Sequence, residues 1–161
     1  LQDPQWARSD ERTPLFFVDS ALRLVPLAAA PVRDAVAVLG RGDRVYVGCR
    51  LGKDRTGLIL LLLGKMLEVE DAVLVDDYVR TAEEYRSAPA WVERYARSRN
   101  DGTDRVAARL EVPREIPRGI LAGLPSGRGE LCALLGLGSQ NVGAALRALT
   151  DPPTDTQGAT A

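Results

Sequence analysis

The chain contains no histidine among its 161 residues. That removes imidazole as a general base and excludes Cys-His protease chemistry. Two cysteines, Cys49 and Cys132, are too few for a disulfide framework, and a nucleophilic thiol is best kept in a reducing compartment, so a cytoplasmic location is expected. No run of eighteen or more apolar residues and no charged-then-apolar leader is visible, so neither a membrane span nor a signal peptide is expected. Net charge is −1 at pH 7, which supplies no global field toward nucleic acid or an anionic membrane, and no nucleic-acid partner is expected. Aromatics are scarce, so any ring-walled pocket must draw on Trp6, Phe16, Phe17, Tyr46, Tyr78, Tyr85, Trp91 and Tyr95. What is present, 45% hydrophobic and 27% charged residues, is the balance of an ordinary globular domain.

One stretch concentrates the chemistry. Arg44-Val45-Tyr46-Val47 is β-branched and aromatic, as a buried strand would be, and Thr56 through Leu67 is apolar almost all round, as a buried helix would be. Between them lies Gly48-Cys49-Arg50-Leu51-Gly52-Lys53-Asp54-Arg55, a glycine-punctuated turn expected to leave a strand and open a helix. Such a turn aims several backbone N–H groups at one point, where the helix start adds partial positive charge and an oxyanion is the natural guest. Cys49 sits at its mouth with Arg50, Lys53 and Arg55 close by, a setting that lowers a thiol pKa. The planar guanidinium of Arg55 is suited to hold two phosphate oxygens at once.

Cys49-Arg50-Leu51-Gly52-Lys53-Asp54-Arg55-Thr56-Gly57 resembles the Cys-x5-Arg-Thr/Ser-Gly loop of the cysteine-dependent protein tyrosine phosphatases. It is most similar to the bacterial tyrosine and lipid phosphatases that carry Gly-Lys-Asp-Arg-Thr-Gly. Gly48 stands where that family usually has histidine, which orients the loop and tunes the thiol. Asp71 through Thr81 is similar to the Asp-Tyr-containing helix that follows the loop in those proteins. Leu135-Gly136-Leu137-Gly138 with the helix after it is similar to their closing pattern.

The resemblance implies a two-step hydrolysis of phosphate monoesters. Cys49 forms a phosphocysteine, water then cleaves it, and inorganic phosphate leaves. It implies a phosphate-binding set of Cys49, Arg50, Leu51, Gly52, Lys53, Asp54, Arg55 and Thr56, with Thr56 donating its hydroxyl to the departing sulfur. No metal or cofactor is needed. The partner is a phosphoprotein or a phosphorylated small molecule: phosphotyrosine, a phosphoinositide or a metabolite. A catalytically silent phosphate-binding module would share the same loop.

The leaving oxygen needs an acid, and two aspartates compete. Asp19 has about the spacing before the cysteine that many relatives use, whereas Asp54 lies inside the loop. Leu22 through Leu27 is similar to the family's Val-Pro-Leu strand, and Ala28-Ala29-Ala30-Pro31 after it offers no carboxylate. Asp54 is therefore the first choice. A loop-bracing ion pair is the plain alternative for Asp54, a helix cap or turn for Asp19, and a solvated loop lysine for Lys53. Arg50 is expected to face outward, and Cys132 to be a small core residue on a helix.

The expected organisation is a single domain over 1–150 and a disordered polar tail over 151–161. After a loose start at 1–14 come short strands within 15–27, a helix near 31–40, the loop strand and buried helix, helices over 71–98 broken at Ala88-Pro89, a mobile connection over 99–115 and helices over 117–149. The charged stretches around Tyr85 and Tyr95 read as solvated faces. This predicts an α/β fold, tyrosine phosphatase-like, with a central sheet flanked by helices and a helical C-terminal part.

Overall fold

A computed structural model describes residues 13–150; the expected loose start and the expected disordered tail fall largely or wholly outside them. Among the described residues the elements are all helices: α1 Pro14–Leu39, α2 Asp54–Met66, α3 Asp71–Arg86, α4 Pro89–Ser98, α5 Thr103–Leu110, α6 Glu115–Gly123, α7 Arg128–Leu135 and α8 Ser139–Thr150.

The predicted α/β fold with its central sheet is corrected: there is no strand among the described residues. The error originates in α1. Thr13 caps this helix by accepting the Phe16 N–H through its side chain, and Pro14 opens it. The helix then runs through Pro26 and Pro31 without a break. Its buried positions (Ala21, Leu24, Val25, Ala28, Val32, Ala35 and Val36 among them) recur at helical spacing on both sides of each proline. The alanine run between the prolines has the highest helix propensity of any residue type. Packing of this stripe outweighs the lost N–H groups. With 15–27 helical, Val45-Tyr46-Val47 carries no regular secondary structure, and without a partner strand among the described residues it makes no sheet.

Helix α1 is the axis of the molecule, in contact with α2, α6, α7 and α8. Leu58, Leu61, Leu62 and Met66 of α2 and Ile120, Leu131, Leu135 and Val142 of the later helices complete the core around it. By length and mean hydropathy α1 would also suffice to cross a membrane, the one helix among the described residues that does. One stripe of it is buried against four helices, and Leu15 and Leu27 stand exposed on its other side.

Helix α2 and the break before Pro89 lie where the sequence puts them. The expected mobile connection instead contains α5, which packs against α4. Together α4 and α5 enclose a second small core of Val92, Ala96, Val106 and Leu110, joined by Leu51, Tyr85, Trp91 and Tyr95.

Candidate active site

Cys49 ends the irregular segment 43–49, and residues 50–53 turn into α2, whose first residues are Asp54, Arg55 and Thr56. Gly52 has φ +63, a left-handed conformation that an L side chain rarely adopts, and it lets the loop reverse toward its own cysteine. The loop thus meets the helix start as the sequence predicts, although it leaves an unpaired segment and not a sheet.

The Cys49 thiol is lowered from 9.0 to about 7. Partial burial pushes it up. The Thr56 hydroxyl and the backbone N–H groups of Thr56, Leu51 and Gly52 more than offset this by hydrogen bonding to the ionised sulfur. Thr56 Oγ1 is buried and makes no hydrogen bond of ordinary geometry. These two observations meet in the thiolate: the hydroxyl has a strong acceptor once the sulfur is charged, and a weak one when it is a thiol. Alkylation of Cys49 by iodoacetamide, followed by mass spectrometry, is expected to rise with pH around a midpoint near 7. Thr56→Val should move that midpoint upward, toward an ordinary thiol. An unmoved midpoint would remove Thr56 from the activation of Cys49.

Cys49, Arg50, Arg55 and Thr56 line a cavity of about 520 Å3, walled on its apolar side by Ala35 and Val38 of α1, Val45, Val47 and Ile59. Arg50 is exposed, as expected, and its guanidinium lies 5.9 Å from the centre of the Tyr95 ring. Trp91 stacks on Tyr95 with ring centres 5.1 Å apart and planes 6° from parallel, and Tyr85 flanks Trp91 at 5.1 Å. In the stretches read as solvated faces the charged side chains are exposed, while Tyr85 and Tyr95 are partly buried and join Trp91 beside the loop. The signal was in the sequence: Trp91 and Tyr95 stand four apart on a helix, the spacing at which side chains meet.

Lys53 is the least solvated of the loop's charged residues, at 5% exposure. Its ammonium donates to the Arg109 carbonyl at 2.6 Å, lies 3.6 Å from Asp54 Oδ1 and sits 5.4 Å from the centre of the Phe17 ring. It is not the solvated lysine of the plain reading, and its ammonium is committed to the protein. Leu51 packs into the second core, and its carbonyl accepts a hydrogen bond from Tyr85 Oη.

Asp54 opens α2 with its side chain 28% exposed, beside Lys53 and next to a small recess shared with Phe17, Ala21, Leu24 and Tyr78. Burial, then the nearby charges of Asp54 and Cys49, push the Tyr78 phenol well above its usual range. Tyr85 is raised for similar reasons, burial first and then Cys49. Asp19 is exposed on α1. Phe17 and Ala21 turn toward Asp54, and Asp19 stands about 200° around the helix from each. Asp54 thus borders a recess other than the cavity that Cys49 lines, and Asp19 stands on the opposite side of α1 from that recess. Cys132 is buried on α7 as expected, and burial raises its thiol, with Arg128 opposing in part.

A family model described as the tyrosine phosphatase family matches residues 4–142. No curated protein and no solved structure matches the chain.

Proposed function

The chain belongs to the tyrosine phosphatase family, and from that premise we propose that it hydrolyses phosphate monoesters through a phosphocysteine on Cys49. Family membership supports phosphatase activity in general. The observation that carries the finer reading is the Cys49 thiol, brought to about 7 by hydrogen bonds from its own loop. A thiol lowered in this way is substantially more ionised at neutral pH than an ordinary one and retains much of its nucleophilicity.

In the first step the Cys49 sulfur attacks phosphorus, the S–P bond forms, and the ester O–P bond breaks as Asp54 gives its proton to the leaving oxygen. In the second, water attacks phosphorus, the Asp54 carboxylate takes the water's proton, and the P–S bond breaks to release phosphate and the thiolate. Loop amides and Arg55 stabilise the equatorial oxygens, each well-aimed donor contributing on the order of a few kcal/mol. Thr56 serves the thiolate as it forms. Among the substrate classes open to such a site, the Tyr46 ring, exposed at the wall of the cavity that Cys49 lines, favours an aryl phosphate over an alkyl one.

One observation favours the silent-module reading. Asp54 is ion-paired with Lys53 and borders a different recess from the cavity that Cys49 lines. Hydrolysis of para-nitrophenyl phosphate and of a phosphotyrosine peptide separates the two readings. Turnover is expected for the native chain. Asp54→Asn should lower kcat on the peptide by about 100-fold or more, with Asp19→Asn near the native value. A larger loss in Asp19→Asn overturns the acid assignment, and vanadate binding without any turnover establishes the silent module.

A further inference from the structure

Two loop residues, Leu51 and Lys53, are clipped to helices outside the loop, and one clip has a specific cause. The last turn of a helix leaves carbonyls that find no partner within the helix. For Arg109, in the last turn of α5, the residue four positions on is Pro113, which has no N–H to offer. The Lys53 ammonium supplies the missing donor at 2.6 Å, from a position nearly sealed from water. A cation at a helix C-terminus is also favoured by the helix dipole. The same ammonium meets Asp54 of α2 and the Phe17 ring of α1, so it ties three helices to one point of the loop. The second clip is Tyr85 Oη of α3 on the Leu51 carbonyl, with the Leu51 side chain in the core that α4 and α5 enclose.

Helix α5 is held in turn by its own ion pairs: Asp101, just before it, meets Arg105 at 3.4 Å and Arg109 at 2.6 Å. Docking of the α4–α5 unit rests on a core of four buried side chains joined by Leu51, Tyr85, Trp91 and Tyr95, on the exposed pair of Arg86 from α3 with Glu111 at 3.1 Å, and on Lys53. A small core of this size opens more readily than the main one.

We propose that Lys53 is a positioning residue that couples the oxyanion loop to the α4–α5 pair, so that filling the loop with an oxyanion tightens the docking of α5, and loosening α5 weakens oxyanion binding. The reciprocity is required by linkage. Lys53 acts here on the shape of the loop and not on the phosphate. The inference rests on the reading of residues 49–56 as an oxyanion loop.

Hydrogen exchange on the full chain with and without orthovanadate tests it. In the native chain, vanadate should protect the loop and also slow exchange over 103–110 by about fivefold or more, the low end of ordinary coupling between sites. In Lys53→Met, exchange over 103–110 should be faster without vanadate and should no longer respond to it, and vanadate should bind more weakly by a similar factor. Lys53→Arg, which can still donate to the Arg109 carbonyl, should restore the response. It also keeps the test decisive where circular dichroism shows that the methionine variant is not folded. Vanadate that protects the loop but leaves 103–110 unchanged in the native chain overturns the coupling alone. Identical behaviour of Lys53→Met and the native chain overturns it as well. Absence of loop protection in the native chain overturns the oxyanion reading and the coupling with it, while faster ligand-free exchange of α5 in Lys53→Met still reports the clip itself.

Discussion

Cys49→Ser is expected to abolish turnover of para-nitrophenyl phosphate, by on the order of 10⁴-fold or more, while leaving vanadate or phosphate binding largely intact. The serine hydroxyl is of nearly the same size, but its pKa is far too high for the donors around Cys49 to ionise it. Those donors, the amides of Leu51, Gly52 and Thr56 and the Thr56 hydroxyl, stay where they are and still attract an oxyanion. The same loss of rate with a comparable loss of affinity would mean that the substitution collapsed the loop. Residual turnover within tenfold of native would mean that phosphate transfer does not pass through this sulfur. Rapid-quench capture of a phosphorylated native chain, and its absence in the serine variant, reads the intermediate directly.

The second large effect concerns packing. Gly57→Ala adds one methyl group at a place where the backbone is helical and an alanine would ordinarily be welcome. Here the added carbon would stand 2.8 Å from Cδ2 of the Tyr78 ring, closer than side-chain carbons approach. Tyr78 is buried on α3, so the ring or the helix must shift. The expected cost is about 1–3 kcal/mol of stability by urea unfolding. Activity should fall further than stability alone explains, because α3 also carries the Tyr85 contact to the loop. Gly129→Ala is the control. It too is helical, nothing lies within 4 Å of the added carbon, and it should stabilise by a few tenths to about 1 kcal/mol. A neutral Gly57→Ala would show that α3 has slack against α2 and that the loop does not depend on close packing there.

How much of this was legible in the sequence differs between site and fold. Residues 49–57 were readable because the constraint on them is local: a glycine that reverses the chain, a helix start and a cysteine and arginine at fixed separation each leave a mark within nine residues. The sequence favours Asp54 over Asp19 because Ala28-Ala29-Ala30-Pro31 offers no carboxylate, and the fold adds that Asp19 stands on the opposite side of α1 from the recess Asp54 borders. The expectation of a sheet rests on the likeness of Leu22 through Leu27 to the family's Val-Pro-Leu strand, on Pro31 as the start of a separate helix and on the strand composition of 44–47. The helical recurrence of Leu24, Ala28, Val32 and Ala35 runs across both prolines and was the stronger signal. Segment 44–47 has true strand composition. Whether such a segment joins a sheet depends on a neighbour, which its own residues do not encode. Helix α5 was missed because its apolar content is small, Val106 and Leu110 being its two buried residues, and its partners lie on α4. The role of Lys53 depends on Pro113, sixty residues away, and no local pattern could have announced it.

The two sulfurs have been pushed in opposite directions, Cys49 down by its hydrogen bonds and Cys132 up by burial. At neutral pH the ratio of their thiolate populations therefore favours Cys49 strongly, and electrophiles and peroxide choose between them by ionisation and access. A mild electrophile offered at pH 7 should accordingly mark each folded molecule once, at Cys49, with Cys132 left in place. The native chain thus carries an addressable handle for a fluorophore, a covalent inhibitor or an oxidation reporter, placed where any occupant of the loop will shield it.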